Sequence, residues 1–347
     1  MRYYTSLEAM AEKYDRTEKQ YAFRAADREA HGIWREEAAK RLREISRIDL
    51  CESVPARAQK YSGTVMDGFV KEYWTIQTEE HVTMPFYLLR PVKPNGGAVI
   101  VPHGHGTNKE GTVANFHNPA VASSGERYSG NCFAHDLARA GYLTACPDAR
   151  GSGERRESGQ QGDTPEKWIS CSHRELAQVA MGFGQSLIGL MVWDLMRLVD
   201  FLVLQPEVEP GRIGCAGMSG GGQQTLWLAA LDTRVRAAVT SGYFYGMKES
   251  LVRLPANCAC NFVPGMWSVM DMGDMGAMIA PRALYIESGE KDDLNGAPGL
   301  DNVYPQVETA RRAFALYGAG DKLWHRVHPG GHVWVGDGVP EFFAKWL

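Results

Sequence analysis

The sequence predicts an α/β protein: a central, mostly parallel sheet with helices on both of its faces. Three observations carry this. A chain of 347 residues with 44% hydrophobic content can bury one large core, and α/β architectures reach this length as one main domain. From Gly96 onward, short apolar runs alternate with longer segments of helical pattern, as strands with crossover helices do. One of those runs leads into a glycine-crowded serine and then a helix-like segment, GRIGCAGMSGGGQQTLWLAAL at residues 211–231.

The elements follow in order. Residues 1–60 hold 13 Lys/Arg and 11 Asp/Glu, a charge density well above the 22% of the whole chain, and read as an N-terminal helical extension. Within WREEAAKRLREI, Trp34, Ala38, Leu42 and Ile45 recur at helical spacing, so this stripe must pack on the main domain, residues 61–347. Two β-prone runs, VKEYWTIQTEE and VTMPFYLLRPV, predict an antiparallel hairpin. The parallel strands are expected in GGAVIVPHGHG, YLTACPDARG, RIGCAGMSGG, VRAAVTSGYF and RALYIESGEKD, with KLWHRVHPGG alternating as a last strand. The best helix is SLIGLMVWDLMRLVDFLVLQ, with Leu187, Leu190, Met191, Leu195, Leu198 and Leu202 on one face and Ser186 as its cap. Three stretches lack clear periodicity and read as long loops at strand ends: Thr107–Ser129, Gly151–Ser172 and Tyr243–Ile279.

Composition narrows the function classes. A net charge of −4, from 37 basic and 41 acidic residues, offers no positive field for nucleic acid. The first residues, MRYYTSLEAMAEKYDRTEK, contain no continuous apolar block, so the expectation is a soluble, cytoplasmic protein without a membrane partner. Seven cysteines at 51, 132, 146, 171, 215, 258 and 260 show no CxxC pair and read as reduced thiols.

Gly217-Met218-Ser219-Gly220-Gly221 is a G-x-S-x-G pattern with an apolar strand before it and a helix after it. At such an elbow the chain reverses sharply, and the positions two before and two after the serine have no room for side chains. The serine takes a strained conformation costing about 1–3 kcal/mol, and its hydroxyl stands at the helix N-terminus. There the N–H of Gly220 can receive an oxyanion. A plain glycine-rich turn would share the pattern, but no G-x-G-x-x-G after a strand and no GxxxxGK[ST] supports a nucleotide site.

A nucleophilic serine needs a base, and the base an orienting acid, both downstream in this architecture. His332 follows a glycine turn in HPGGHVWVGDG and is the preferred base, with His328 as the fallback and His325 read as core or surface. In RALYIESGEKDDLNG the strand ends near Glu287 and two adjacent carboxylates follow; Asp292 is preferred as the acid, with Asp293 and Glu287 as alternatives. A second oxyanion donor is expected from the backbone of His105 or Gly106 in His103-Gly104-His105-Gly106. Alternating His and Gly without further ligands falls short of a zinc site, so no metal is expected.

The HGHG loop, PDARGSGER, GMSGG, LDTRVRAAVTSGYF, CNFVPG, IAPRALYIESGEKD and GGHVW, in this order, resemble the bacterial α/β-hydrolases of the acetyl xylan esterase and dienelactone hydrolase-like group. The resemblance covers roughly residues 30–347. It implies an α/β-hydrolase fold with about eight strands, a triad of Ser219, His332 and Asp292, and cofactor-free ester hydrolysis. The sequence departs from two subgroups: dienelactone hydrolases carry a cysteine where Ser219 stands, and glucuronoyl esterases carry an arginine where Gly220 stands.

The expected reaction is acyl transfer to water through an acyl-enzyme, on short acyl esters of small molecules or acetylated saccharides. Trp168, Trp267 and Trp334 lie in proposed rim loops, and could form an apolar platform or simply pack beneath the loops. Arg150 and Arg155 could meet a substrate carboxylate or tie their loop to Asp148 or Glu154. A serine peptidase, a dienelactone-type hydrolase and a binding protein with a dead site are the rivals. Self-association stays open.

Overall fold

The computed structural model describes residues 2–113, 133–254 and 257–347. Among the described residues nine strands form one sheet, ordered β1-β2-β3-β5-β4-β6-β7-β8-β9. The first three, β1 (Gln59–Val65), β2 (Phe69–Glu79) and β3 (Val82–Pro91), are antiparallel, and β3 pairs antiparallel with β5 (Leu143–Pro147). The rest run parallel: β5, β4 (Ala98–Ile100), β6 (Ile213–Met218), β7 (Val235–Ser241), β8 (Ala283–Gly289) and β9 (Leu323–His328).

The central parallel strands are apolar runs because helices cover both their faces, and every residue of β4, β5, β6 and β8 is buried. The expected hairpin is β2–β3, and its two-residue turn places His81 at φ +61°. The ninth strand was not expected. All seven residues of β1 are exposed, so its sequence, QKYSGTV, has no buried face to impose an apolar alternation.

Helices α1 (Leu7–Arg16) and α2 (Arg28–Ser46) hold the charged N-terminal segment. Asp27 caps α2 by accepting from the Ala30 N–H at 2.8 Å. The predicted stripe does pack inward: Ala38, Leu42 and Ile45 are buried and Trp34 is half-buried. They join one core with α5 (Leu187–Leu202), α6 (Gly220–Leu231) and α7 (Met272–Ile279), which follow α3 (Phe133–Arg139) and α4 (His173–Gly182). Polar ties fix the docking. Tyr14 donates to Asp271 at 3.0 Å, the Phe23 N–H to Asp274 at 2.8 Å, and His31 sits between the Tyr317 hydroxyl and the Ala277 carbonyl. On the same side lies α8 (Tyr304–Leu316), and α9 (Val339–Trp346) closes the chain.

Ser186 accepts from the Gly189 N–H at 3.2 Å and caps α5, as its sequence context predicted. That helix is buried almost all round and brings Asp194 into the interior, where Arg150 and Arg155 both bind it. Burial disfavours the Asp194 carboxylate, but the two guanidinium groups outweigh it and hold its pKa well below the usual range. No single described helix is long and apolar enough to cross a membrane.

His325 on β9 is a buffer-sensitive point in this fold. Burial, with the Arg311 charge, lowers its pKa to about 4, and its Nε2 lies 3.1 Å from the Ser288 hydroxyl. The unfolded chain binds this proton near pH 6.5 while the folded chain resists until about 4, so stability is lost as pH falls through that window. Urea midpoints are expected to drop between pH 7 and about 4.5, and His325→Gln is expected to reduce that drop, with the buried His103 keeping a share of it.

Candidate active site

The serine stands between β6 and α6 with φ +57° and ψ −121°, a region that L side chains rarely occupy. Its geometry is held by crowding. A Cβ on Gly217 would run into the Gly221 backbone, and one on Gly221 into the Pro102 carbonyl. The Ser219 N–H donates to the Ser241 carbonyl at 2.8 Å, tying the bend to the end of β7. Gly220 opens α6, where N–H groups have no acceptor within the helix. The half-buried Ser219 lines a cavity of about 320 Å³ together with Gly104, Gly106, Phe133 and His332.

His332 is carried in a loop after β9. Its Nδ1 lies 2.8 Å from Asp292 Oδ2, and Asp292 is 4% exposed. The other Asp292 oxygen accepts from the Leu294 N–H at 2.9 Å, which fixes the carboxylate. Asp293 is exposed, since neighbouring residues of a short 3₁₀ turn point apart. Glu287 acts elsewhere, its buried carboxylate accepting from the Ser241 hydroxyl and from the N–H groups of Val335 and Gly336 and so anchoring the histidine loop. A Cβ on Gly242 would lie 3.0 Å from the His332 ring, so that ring passes directly over the end of β7.

The two histidines of the HGHG loop part ways. His103 is buried, places Nδ1 2.7 Å from the Gly104 carbonyl, and accepts from the Ala149 N–H at Nε2. Burial lowers its pKa to about 4 and keeps it neutral. The ring of His105 lies against Gly220, where any added Cβ would come within 2.8 Å of it. The buried Lys109 then pins this loop to the next strand end, with Nζ 2.8 Å from Asp148 and 2.9 Å from Glu154.

The expected platform is not assembled around the serine. Trp267 packs edge-on against Tyr14 at 5.7 Å, beneath the N-terminal segment. Trp334 is buried and stacks at 3.7 Å on Phe133, so it backs the cavity wall without facing the cavity. Trp168 sits under Arg156, and its neighbour Ile169 lines the cavity instead. Arg150 binds Asp194 and Glu79, neither of them a partner the sequence suggested; Arg155 binds Asp194 and the Asp148 carbonyl. Both guanidinium groups are therefore committed within the fold. Much of the Thr107–Ser129 loop lies outside the described residues.

A second cavity of about 650 Å³ opens on the other side of Ser219 and Gly220, lined by Tyr243, Tyr245, Phe262 and Cys258. In its wall His105, His173, Cys258 and Cys260 bring their ligand atoms within 4.8 Å of one another. The expectation of no metal is thus at odds with a donor set that could hold one. A hydrogen bond from Cys171 draws the Cys258 thiol down to about 7. Sequence reading had no signal for this cluster beyond the C-x-C at 258 and 260, because His105 comes from the loop after β4 and His173 from the start of α4.

A family model described as "Abhydrolase family" matches residues 1–298, most of the chain. The chain belongs to this family. Among relatives, the protein named "Putative hydrolase YtaP" from Bacillus subtilis (strain 168) is 24% identical over 318 residues, covering 89% of this chain and 99% of that one. Solved structures give the same fold for this Abhydrolase member. One named a "putative acetyl xylan esterase", from Bacteroides fragilis, superposes with a TM-score of 0.78 at 19% identity, covering 94% of this chain and 83% of that one. A glucuronoyl esterase from Solibacter usitatus has a TM-score of 0.67 at 15% identity, covering 94% and 96%. The mostly parallel sheet flanked by helices is the α/β-hydrolase fold, with the antiparallel edge extended by β1.

Proposed function

We propose that this chain is a serine esterase that cleaves short acyl carboxylic esters, acetyl esters foremost, through an acyl-enzyme. One observation carries the reading: the strained Ser219 and His332, whose Nδ1 lies 2.8 Å from Asp292, line the same cavity. His332 takes the Ser219 proton as the oxygen attacks the ester carbonyl, and Asp292 holds the imidazole tautomer with Nε2 free to accept. The oxyanion is received by the Gly220 N–H and by a backbone donor of the His105–Gly106 segment. Collapse of the tetrahedral intermediate expels the alcohol, which takes the proton from His332. Water, activated by the same histidine, then releases the acid.

The cavity of about 320 Å³ beside Ser219 has room for the acyl group, and the wider, tyrosine-lined one suits the alcohol part, including a sugar. Several folds of this shape belong to proteins named acetyl xylan esterases, which agrees with the substrate class. A glucuronoyl esterase reading is disfavoured by Gly220: the His105 ring fills the space that a side chain there would need.

A series of chromogenic esters from acetyl to octanoyl, run beside acetylated xylo-oligosaccharide and a matching amide, tests this. A steep fall in kcat/KM beyond short acyl chains is expected, with no amide cleavage. A flat or rising series removes the short-acyl assignment. Failure of a fluorophosphonate to label Ser219 removes the nucleophile and favours a binding protein.

A further inference from the structure

We infer that His105, His173, Cys258 and Cys260 form a binding site for one zinc-class divalent cation, a structural clamp in the wall beside the serine. The four residues come from three separate segments: the loop after β4, the start of α4, and the C-x-C turn that follows the long excursion from β7. Nothing in local chain geometry would gather them. His105 Nε2 lies 3.1 Å from Cys260 Sγ, and His173 Nδ1 lies 3.2 Å from Cys258 Sγ. In a tetrahedral zinc site with two nitrogen and two sulfur ligands, neighbouring donor atoms are about 3.5 Å apart, so small side-chain shifts close the shell. Borderline-soft N₂S₂ donors select zinc over the oxygen-seeking magnesium and calcium.

The surroundings suit a metal on one side and resist it on the other. His173 Nε2 lies 3.0 Å from the Ser152 hydroxyl, so with Nδ1 on the metal the opposite N–H has a partner that fixes the ring. Against this, the Cys260 thiol donates to Gln223 Oε1 at 3.3 Å. Each thiol gives its proton to water as the sulfur–metal bond forms, so Gln223 loses that donor while its amide nitrogen keeps the Cys260 carbonyl at 3.0 Å. Zinc coordination must outweigh one hydrogen bond.

Four protein ligands leave no open position, so the cation would act as a clamp and not as a Lewis acid. What it clamps matters. The His105 ring bears on Gly220 and lines both cavities beside the serine, so fixing it fixes the wall they share. The cation site rests on donor geometry alone and stands whether or not the esterase reading does.

The test reads metal, not turnover. Reduced full-length protein, stripped with chelator and titrated with zinc alone, is expected to retain one equivalent against a colorimetric competitor. Cobalt in its place is expected to give intense tetrahedral d–d bands and thiolate-to-cobalt charge transfer. Cys258→Ser and Cys260→Ser should each weaken zinc binding by more than about 100-fold, while Cys171→Ser, outside the ligand set, should keep one equivalent. Circular dichroism separates ligand loss from misfolding, and the cobalt spectrum of the unmodified chain needs no variant. Zinc left free to the competitor, an octahedral cobalt spectrum, or a folded Cys258→Ser variant that keeps full affinity would each overturn the site.

Discussion

Ser219→Ala is expected to lower kcat on an acetyl ester by about 10³-fold or more, with KM little changed and the far-UV spectrum and melting temperature close to the parent. The size follows from the division of labour. In the proposed mechanism no acyl-enzyme forms without the hydroxyl, and only the oxyanion donors and substrate positioning remain. The folded state should tolerate the change, because the bend is enforced by the glycines at 217 and 221 and by the Ser219 N–H bond to Ser241, none of which uses the side chain. Alanine at φ +57° bears the same strain as serine does. A variant with more than about a tenth of parental kcat would mean that another group attacks the ester.

Asp292→Asn and Asp293→Asn form the second contrast. The first is expected to cost about 10³- to 10⁴-fold in kcat, because an amide facing His332 Nδ1 can present its N–H₂ group and hold the wrong tautomer. The second is expected to leave kcat within about twofold, since an exposed carboxylate next to the site adds little in high dielectric. Steady-state kinetics on one ester decide it. Equal losses in both, or the larger loss at 293, would move the acid role off Asp292. Because the Asp292 side chain also caps its turn through Leu294, a thermal melt should accompany the kinetics.

The two variants also mark where sequence reasoning stopped. The G-x-S-x-G bend was legible because steric demand is local: three fixed residues, an apolar strand and a helix predict one geometry. The choice between two adjacent aspartates was weaker, since it depends on which one faces a loop some forty residues further on. The sequence reading preferred Asp292, and the fold buries that carboxylate against His332 while leaving Asp293 in water. Glu287 was placed in the same group as an alternative, yet it braces the backbone of the histidine loop.

Other readings lacked a local signal altogether. Arg150 and Arg155 were open to a substrate carboxylate or to Asp148 and Glu154, because their partner, Asp194, lies some forty residues away on α5 and is buried there. For the tryptophans a platform and packing beneath the loops were both open, because long loops do not reveal which ring faces inward. Trp267 instead meets Tyr14 from the far end of the chain, and Trp334 meets Phe133. His105 entered as a backbone donor, and its ring proved to lie between Gly220 and Cys260.

By itself, then, the sequence determined much of what short-range physics governs: the hairpin, the parallel strands, the helices over residues 34–45 and 187–202, and where the chain must bend around Ser219. The exposed strand β1 and the helix α7, which lies in the stretch read as a loop, escaped it. Only the tertiary structure decided which side chains share a wall, from the Asp292–His332 pair to the two histidines and two cysteines beside the serine. Period and turn chemistry act over a few residues, whereas the approach of loops distant in sequence is set by how the whole core packs.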